Sequence, residues 1–416
     1  MKQHNEYSLL SYPVFIAMFG YFVDVYDIVI FSVVRIQSLQ QMGVSAAEIS
    51  TTSTLIINMQ LAGLIIGGIV YGTLGDKIGR KKILLISILI YSTASLSNAF
   101  VGNVEQYALC RFIAGLGLAG ELGAGMTLVS ESVKKSHRSY ATALVSGFGL
   151  LGGCMAFLLV DYTTWREAFI VGGVAGFCLL FARKKLLDSE VYARASQQIP
   201  VSQRGNLVTF FTHRSMMKRF ACCLGISMPI QLFFGMFMFF SNEVTKALGV
   251  TGTVSVGKCV FWYFFAHCLG DVLSGPISQI LSSRKKAVAI YMCALFILAG
   301  LALLGFFDTA NKYYWLAAIS GFAAGYWALC WLTTAETFGT EYRATATVSA
   351  PNFVRGFLIL YFTGYQLLKP SIGVLPTVTT LMAICLVLAF ISWCYLKETF
   401  GRDLDFYESG IKKPSI

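Results

Sequence analysis

Apolar runs long enough to cross a bilayer follow one another almost without pause along this chain. Twelve can be marked in its 416 residues: 11–36, 51–73, 83–101, 106–130, 139–160, 165–182, 218–241, 254–280, 286–307, 313–337, 345–369 and 374–396. A run of about 20 apolar residues spans the hydrocarbon as a helix, because a helix satisfies its own backbone polar groups. With 56% hydrophobic residues, 13% charged ones and a mean hydropathy of +0.67, a water-soluble globule is excluded. The first run is too long for a cleaved signal and leads into further spans. The expected fold is an all-α membrane protein of twelve transmembrane helices.

The cations give an orientation. They fall in 77–82, 134–138, 183–219, 284–286 and the tail after Lys397, which are alternate loops, while Lys246 and Lys312 are among the few on the other side. Positive loops stay in the cytoplasm, so both termini are expected there. The net charge of +11 therefore reports topology and not a nucleic-acid partner. Eleven cysteines lie scattered, nearly all inside spans, with no metal spacing. They read as packing residues, and neither a metal nor a cofactor is expected.

One long polar stretch, 183–217, divides the runs six and six. This predicts a first six-helix bundle over 1–182, a cytoplasmic linker over 183–217, a second bundle over 218–396 and a cytoplasmic tail over 397–416. The halves echo each other. Glu131 precedes Arg138 by seven residues, Glu336 precedes Arg343 by seven, and the two pairs lie 205 apart (336 − 131), each at the same end of an equivalent span. The turn 72–82, Gly-Thr-Leu-Gly-Asp-Lys-Ile-Gly-Arg-Lys-Lys, has a decayed copy from Gly275, with Gln279 for Asp76 and Ser282 for Gly79. Parallel repeats of this kind set a substrate site between the halves near the midplane.

In the first copy, Gly72 and Gly79 suit a close helix approach and a tight turn. Asp76 can meet the positive N-terminus of a neighbouring helix, and Arg80 a carboxylate across the bundle. The spacing G-x-L-x-D-K-x-G-R-K-K resembles the helix 2–3 loop of the major facilitator superfamily. The resemblance runs over the whole chain. Arg111 with glycines 115, 117 and 120 and Glu121 is similar to the R-x-x-x-G-x-G stretch of its sugar-porter-like branch, and Trp165-Arg166 and Glu398-Thr-Phe-Gly-Arg402 match that branch too. Asp24-Val-Tyr-Asp27 falls between the E-W-Y-D of metabolite:proton symporters and the D-G-Y-D of aromatic-acid:proton symporters. The resemblance implies alternating access, with Gly72, Asp76, Gly79, Arg80, Glu131, Arg138, Glu336 and Arg343 forming a cytoplasmic gate.

Ionisable groups inside spans cost about 2.5–3.5 kcal/mol each on insertion scales, so they mark function or firm pairing. Asp24 and Asp27 are three apart and share a helix face, as a proton-carrying pair would. Arg111 is their natural partner, while Glu121 fits a structural bond to a basic loop at least as well. His267 and Asp271, at i and i+4, suit either a proton relay or a helix–helix hydrogen bond. Asn352 and Arg355 lie in the first half of span 11. An arginine there resembles the one organic-anion carriers use for a carboxylate, although pairing with Asp271 would make it structural. Gln231, Phe234, Tyr263, Trp327 and Trp331 are candidates to wall the cavity, against the plain alternative of lipid contact or core.

The sequence thus points to a proton symporter for a small organic acid or zwitterion, acting as a monomer in the bacterial inner membrane. Its partners would be substrate, protons and lipid. A proton-antiport exporter is the second reading, weakened because Gly147, Gly149, Gly152 and Gly153 of span 5 come without a proline. A receptor or membrane enzyme is the third, and no nucleophile–base set supports catalysis.

Overall fold

The computed structural model describes residues 11–45, 48–134, 137–160, 162–185, 206–404 and 406–408. Most of the linker expected over 183–217 and the tail after residue 408 lie outside the described residues. In chain order the helices are α1 (Tyr12–Gln41), α2 (Ile49–Ile78), α3 (Arg80–Asn98), α4 (Val104–Leu118), α5 (Glu121–Ser132), α6 (Arg138–Val160) and α7 (Trp165–Ala182). After the linker come α8 (Leu207–Thr212), α9 (Arg214–Phe233), a π-helical turn (Phe234–Phe239), α10 (Ser241–Ala247), α11 (Val256–Ile280) and α12 (Arg284–Leu303). The last four are α13 (Ala310–Ala323), α14 (Trp327–Thr337), α15 (Arg343–Ile372) and α16 (Val374–Tyr395).

Ten helical segments among the described residues are long and apolar enough to cross a membrane. The helices α3 and α15, where two further spans were expected, are not among them. Each exchanges apolar for polar surface: α3 opens on Arg80-Lys-Lys, and α15 carries Thr345, Thr347, Ser349, Asn352 and Arg355, all buried. Outward, α16 shows Val387, Phe390 and Ile391 on an exposed apolar face suited to lipid tails.

Three expected spans are not continuous helices. The fourth breaks at Ala119-Gly120, the tenth at Ala324–Tyr326, and the seventh loosens into the π-turn, where the Phe240 N–H donates to the Gly235 carbonyl at 3.2 Å. Such breaks free backbone groups that other side chains must satisfy. The turn after α2 is made by Gly79 at φ +102°, a conformation with no Cβ penalty only for glycine. Its repeat, Ser282, holds φ +46°, so the second half keeps the turn although the glycine is gone.

Helices cross closely where glycine permits. A Cβ on Gly115 would run into the backbone carbonyl of Gln60 on α2, whereas one on Gly300 meets nothing within 4 Å. Gly115→Ala is expected to cost about 1–3 kcal/mol through overpacking. Gly300→Ala should stabilise by about 0.5–1 kcal/mol through helix propensity. Thermal midpoints of the two variants in detergent check this, and equal midpoints would contradict the close α2–α4 crossing.

Candidate functional site

At the end that carries the Gly79 turn, the two halves of the chain are bolted together. Asp76 accepts from the Ala344 N–H at 3.0 Å and from both the N–H and hydroxyl of Thr345 at 2.7 Å, which caps the first turn of α15. This is the meeting with a positive helix N-terminus that the spacing of residues 72–82 anticipates. Gly72 lets α15 approach, since a Cβ there would lie 3.1 Å from Thr345 Cα. Glu131 takes Arg80 at 3.0 Å and Arg343 at 3.1 Å, one carboxylate for two buried guanidiniums. Thr127 and Thr347 share a hydrogen bond of 2.5 Å across the same seam.

The second copy is looser. Arg284 pairs with Glu336 at 3.3 Å, as Arg80 does with Glu131, and the Gln279 amide donates to the Ser139 hydroxyl at 2.7 Å near the start of α6. Arg138 donates to the Ser130 carbonyl at 2.8 Å, as Arg343 does to Ala335 at 3.1 Å, so the internal repeat is real in three dimensions. Arg138 then departs from the pattern: its guanidinium reaches the Arg402 carbonyl at 3.5 Å in the tail. That tail, residues 396–404 and 406–408, crosses this end of the bundle. Arg343 donates to the Leu404 carbonyl, Thr399 donates to Glu336 at 2.8 Å, and Arg219 holds Glu408 at 2.8 Å. Burial alone would raise the Glu398 carboxyl, but donation from Ser283 and the N–H groups of Phe400, Arg284 and Thr399 brings it below its ordinary value.

Deeper in, Arg111 and Asp27 form a buried pair at 3.2 Å. The guanidinium also donates to the Asp27 carbonyl at 3.1 Å and to Asn98 Oδ1 at 3.3 Å, and it lies over the Phe169 ring at 4.9 Å. Ser95 donates to Asp27 at 2.5 Å. Asp24, one turn away, is left out of this arrangement. It is 2% exposed, and neither carboxyl oxygen has a hydrogen-bond partner. Glu121 binds Arg183 at the head of the basic linker and accepts from Ser87 at 2.6 Å, so its structural pairing is the one observed.

Between the halves lies a cavity lined from the first half by α1, α2 and α6 and from the second by α9, the π-turn, α11, α14 and α15. Of the expected residues, Gln231, Phe234, Tyr263, His267, Trp327 and Arg355 face it. Arg355 makes no ion pair among the described residues. Its guanidinium lies 6.0 Å from the Trp327 ring, and Nη2 is 3.5 Å from the Tyr21 hydroxyl. Tyr21 also accepts from Trp327 Nε1 at 3.2 Å, so this tyrosine joins α1, α14 and α15 at the cavity wall. Tyr21 and Gln60 are the residues that reading the sequence missed. A neutral polar side chain in a span costs too little to stand out, although Tyr21 sits three residues before Asp24.

Three expectations are corrected. Asn352 does not face the cavity: its amide donates to the Ala119 carbonyl at 2.9 Å, which the break between α4 and α5 has released. Trp331 packs edge-on to Trp327 at 5.1 Å and lines a separate small crevice. His267 and Asp271 do not form a relay. Asp271 accepts from Ser146 and from the Ala328 N–H at 3.1 Å, capping the restarted helix α14, while His267 turns to the cavity beside Tyr263. Asp271 likewise makes no ion pair with Arg355.

Relatives bear on what such an arrangement does. The chain is 25% identical over 404 residues, 93% of its own length and 90% of theirs, to the probable 4-methylmuconolactone transporter of Cupriavidus pinatubonensis. It is 30% identical to the niacin transporter of Acinetobacter baylyi over 177 residues, which is 42% of this chain and 39% of that one. The crystallised proton:xylose symporter XylE, bound to 6-bromo-6-deoxy-D-glucose, superposes with a TM-score of 0.76 at 15% identity. That match covers 95% of this chain and 97% of the other, and it shows a shared fold. These relatives are transporters and not enzymes. The family model of the Major Facilitator Superfamily matches residues 17–362. The chain is a multi-pass integral membrane protein and belongs to that superfamily of transporters.

Proposed function

We propose that this transporter is a proton symporter for a small organic acid or zwitterion, working by alternating access. The observation that carries the reading is Arg355, a guanidinium in an aromatic-walled cavity between the halves, with the neutral Tyr21 hydroxyl beside it and no carboxylate at ion-pair distance among the described residues. A buried charge without a counter-charge is costly, and a cargo carboxylate would supply one. Trp327, Tyr263 and Phe234 would receive its apolar body, and Gln231 and His267 its polar edge. The names of the relatives, a lactone carrier and a niacin carrier, fit such a cargo.

Asp24 carries the proton in this reading. An environment that offers its oxygens no donor suits the neutral acid, not the carboxylate. Asp27 and Arg111 form the adjoining switch, and Asp271 supports the site as a helix cap. Asp76, Arg80, Glu131, Arg343, Gly72 and Gly79 hold the cytoplasmic side shut, with Glu336 and Arg138 securing the tail across it. We take the fold as twelve spans in two bundles, 1–182 and 218–396, joined by a cytoplasmic linker over 183–217. Both termini are then cytoplasmic, the tail is 397–416, and the protein acts as a monomer in the bacterial inner membrane. A proton crossing 100 mV supplies about 2.3 kcal/mol, roughly fifty-fold accumulation of a neutral cargo. A monovalent anion moving with one proton is electroneutral and follows the pH gradient alone.

The test is external pH beside lightly buffered, de-energised cells expressing the protein. Organic acids, betaines, amino acids and sugars are added in turn. Alkalinisation by an organic acid or zwitterion is expected, and it should vanish in Asp24→Asn. Acidification, or a response to sugars alone, would overturn the proposal.

A further inference from the structure

Gln60 sits on α2 at the cavity wall, 2% exposed, and neither its Nε2 nor its Oε1 has a hydrogen-bond partner. A buried carboxamide with both its donor and its acceptor idle weakens the empty protein, because water has been stripped from it and nothing replaces the lost bonds. The main chain at this position is fixed, since the backbone of Gln60 packs directly on Gly115 of α4. The residue is therefore fixed at the cavity wall, with its amide buried there.

Its height relative to Arg355 follows from the packing of two helices. The helices α2 and α15 run antiparallel, with Gly72 against Thr345, Gly68 against Asn352 and Ile65 against Gly356. Gln60 lies five residues beyond Ile65, and Arg355 is the neighbour of Gly356. Arg355 lies on the far side of that level from Gln60, so six residues at 1.5 Å each set the two about 9 Å apart along the helix axis. That is close to the reach from a carboxylate, across a six-membered ring, to a substituent on the opposite side.

We infer that Gln60 is a specificity-determining residue. It pairs with a neutral hydrogen-bonding group, such as a hydroxyl or carbonyl, on the end of a cyclic monocarboxylate remote from the carboxylate. The inference rests on the reading that Arg355 holds that carboxylate. Trp327 and Tyr263 line the same cavity as the two anchors. A cargo lacking the remote group leaves the amide unpaired and is discriminated against, whereas one bearing it satisfies the amide.

The experiment is calorimetric binding of benzoate and 4-hydroxybenzoate to the purified full chain, to Gln60→Leu and to Arg355→Gln. Wild type should prefer 4-hydroxybenzoate by roughly ten- to a hundredfold. In Gln60→Leu the preference should fall to near unity, with benzoate bound as well as before or better. Should Gln60→Leu not fold, Gln60→Met offers an unbranched apolar chain of similar length. A preference that survives in the apolar variant, while both ligands still require Arg355, overturns the role of Gln60 alone. Binding that is indifferent to Arg355→Gln, or absent from wild type, overturns the anion reading and the inference with it.

Discussion

Asp24→Asn should abolish accumulation of cargo against its gradient while leaving exchange of cargo for cargo within about threefold of wild type. Asparagine copies the shape and the neutrality of a protonated carboxyl, and Asp24 has no hydrogen bond in this structure for the change to break. The binding and rocking steps therefore survive. What is lost is the release of a proton, and with it the coupling of uptake to the pH gradient. Proteoliposomes with an imposed pH gradient give the accumulation ratio, and counterflow in the same vesicles gives exchange. Uphill uptake persisting in the variant would remove Asp24 from the coupling. Asp27→Asn is the informative contrast. It strips the counter-charge from Arg111, whose partners are all inside the bundle, and breaking a buried pair in that way costs about 3–5 kcal/mol. It should reduce the yield of folded protein, which Asp24→Asn should not.

Glu131→Gln is expected to open the end of the bundle that carries the Gly79 turn. Arg80 and Arg343 both rest on this carboxylate, and without its charge two buried guanidiniums face one neutral amide. A loss of about 3–5 kcal/mol from the closed arrangement shifts its equilibrium by roughly two to four orders of magnitude. Asp76, still capping α15, keeps the fold intact. Ser349, buried on α15 with its hydroxyl on the Gly68 carbonyl at 3.1 Å, is a suitable reporter when changed to cysteine. The exposed Cys178, Cys293 and Cys394 are replaced first. A membrane-impermeant maleimide should then label Ser349→Cys much faster with Glu131→Gln than without it. Equal labelling rates would mean that Glu131 does not hold the gate.

The contact between the halves at the Gly79 end was legible because its information is local. Eight residues from Gly72 to Gly79 encode a close approach, a cap and a turn, and the copies 205 residues apart repeat the Glu-to-Arg spacing on which both arginines depend. The cavity was legible only in part. Arg355, Trp327 and Tyr263 stand out by charge or by size, but Gln60 and Tyr21 carry no such mark. Asn352 and Asp271 misled for a different reason. A buried polar side chain serves either a ligand or a broken helix, and the breaks at Ala119-Gly120 and Ala324–Tyr326 lie on other segments of the chain. Nothing within span 8 or span 11 announces them.

The division between the two aspartates marks the same boundary. Residue type and spacing alone determined that Asp24 and Asp27 share a face of one helix, that the chain lives in a membrane, and that its halves repeat. Those properties depend on residue type and spacing along the chain. Which aspartate received the arginine was decided by the tertiary structure. Asn98 and the Phe169 ring hold the Arg111 guanidinium at the level of Asp27, and Asp24 is left one turn away with no donor. A guanidinium is planar and directional, so three helices had to meet before a single turn of α1 could separate a paired carboxylate from an unpaired one.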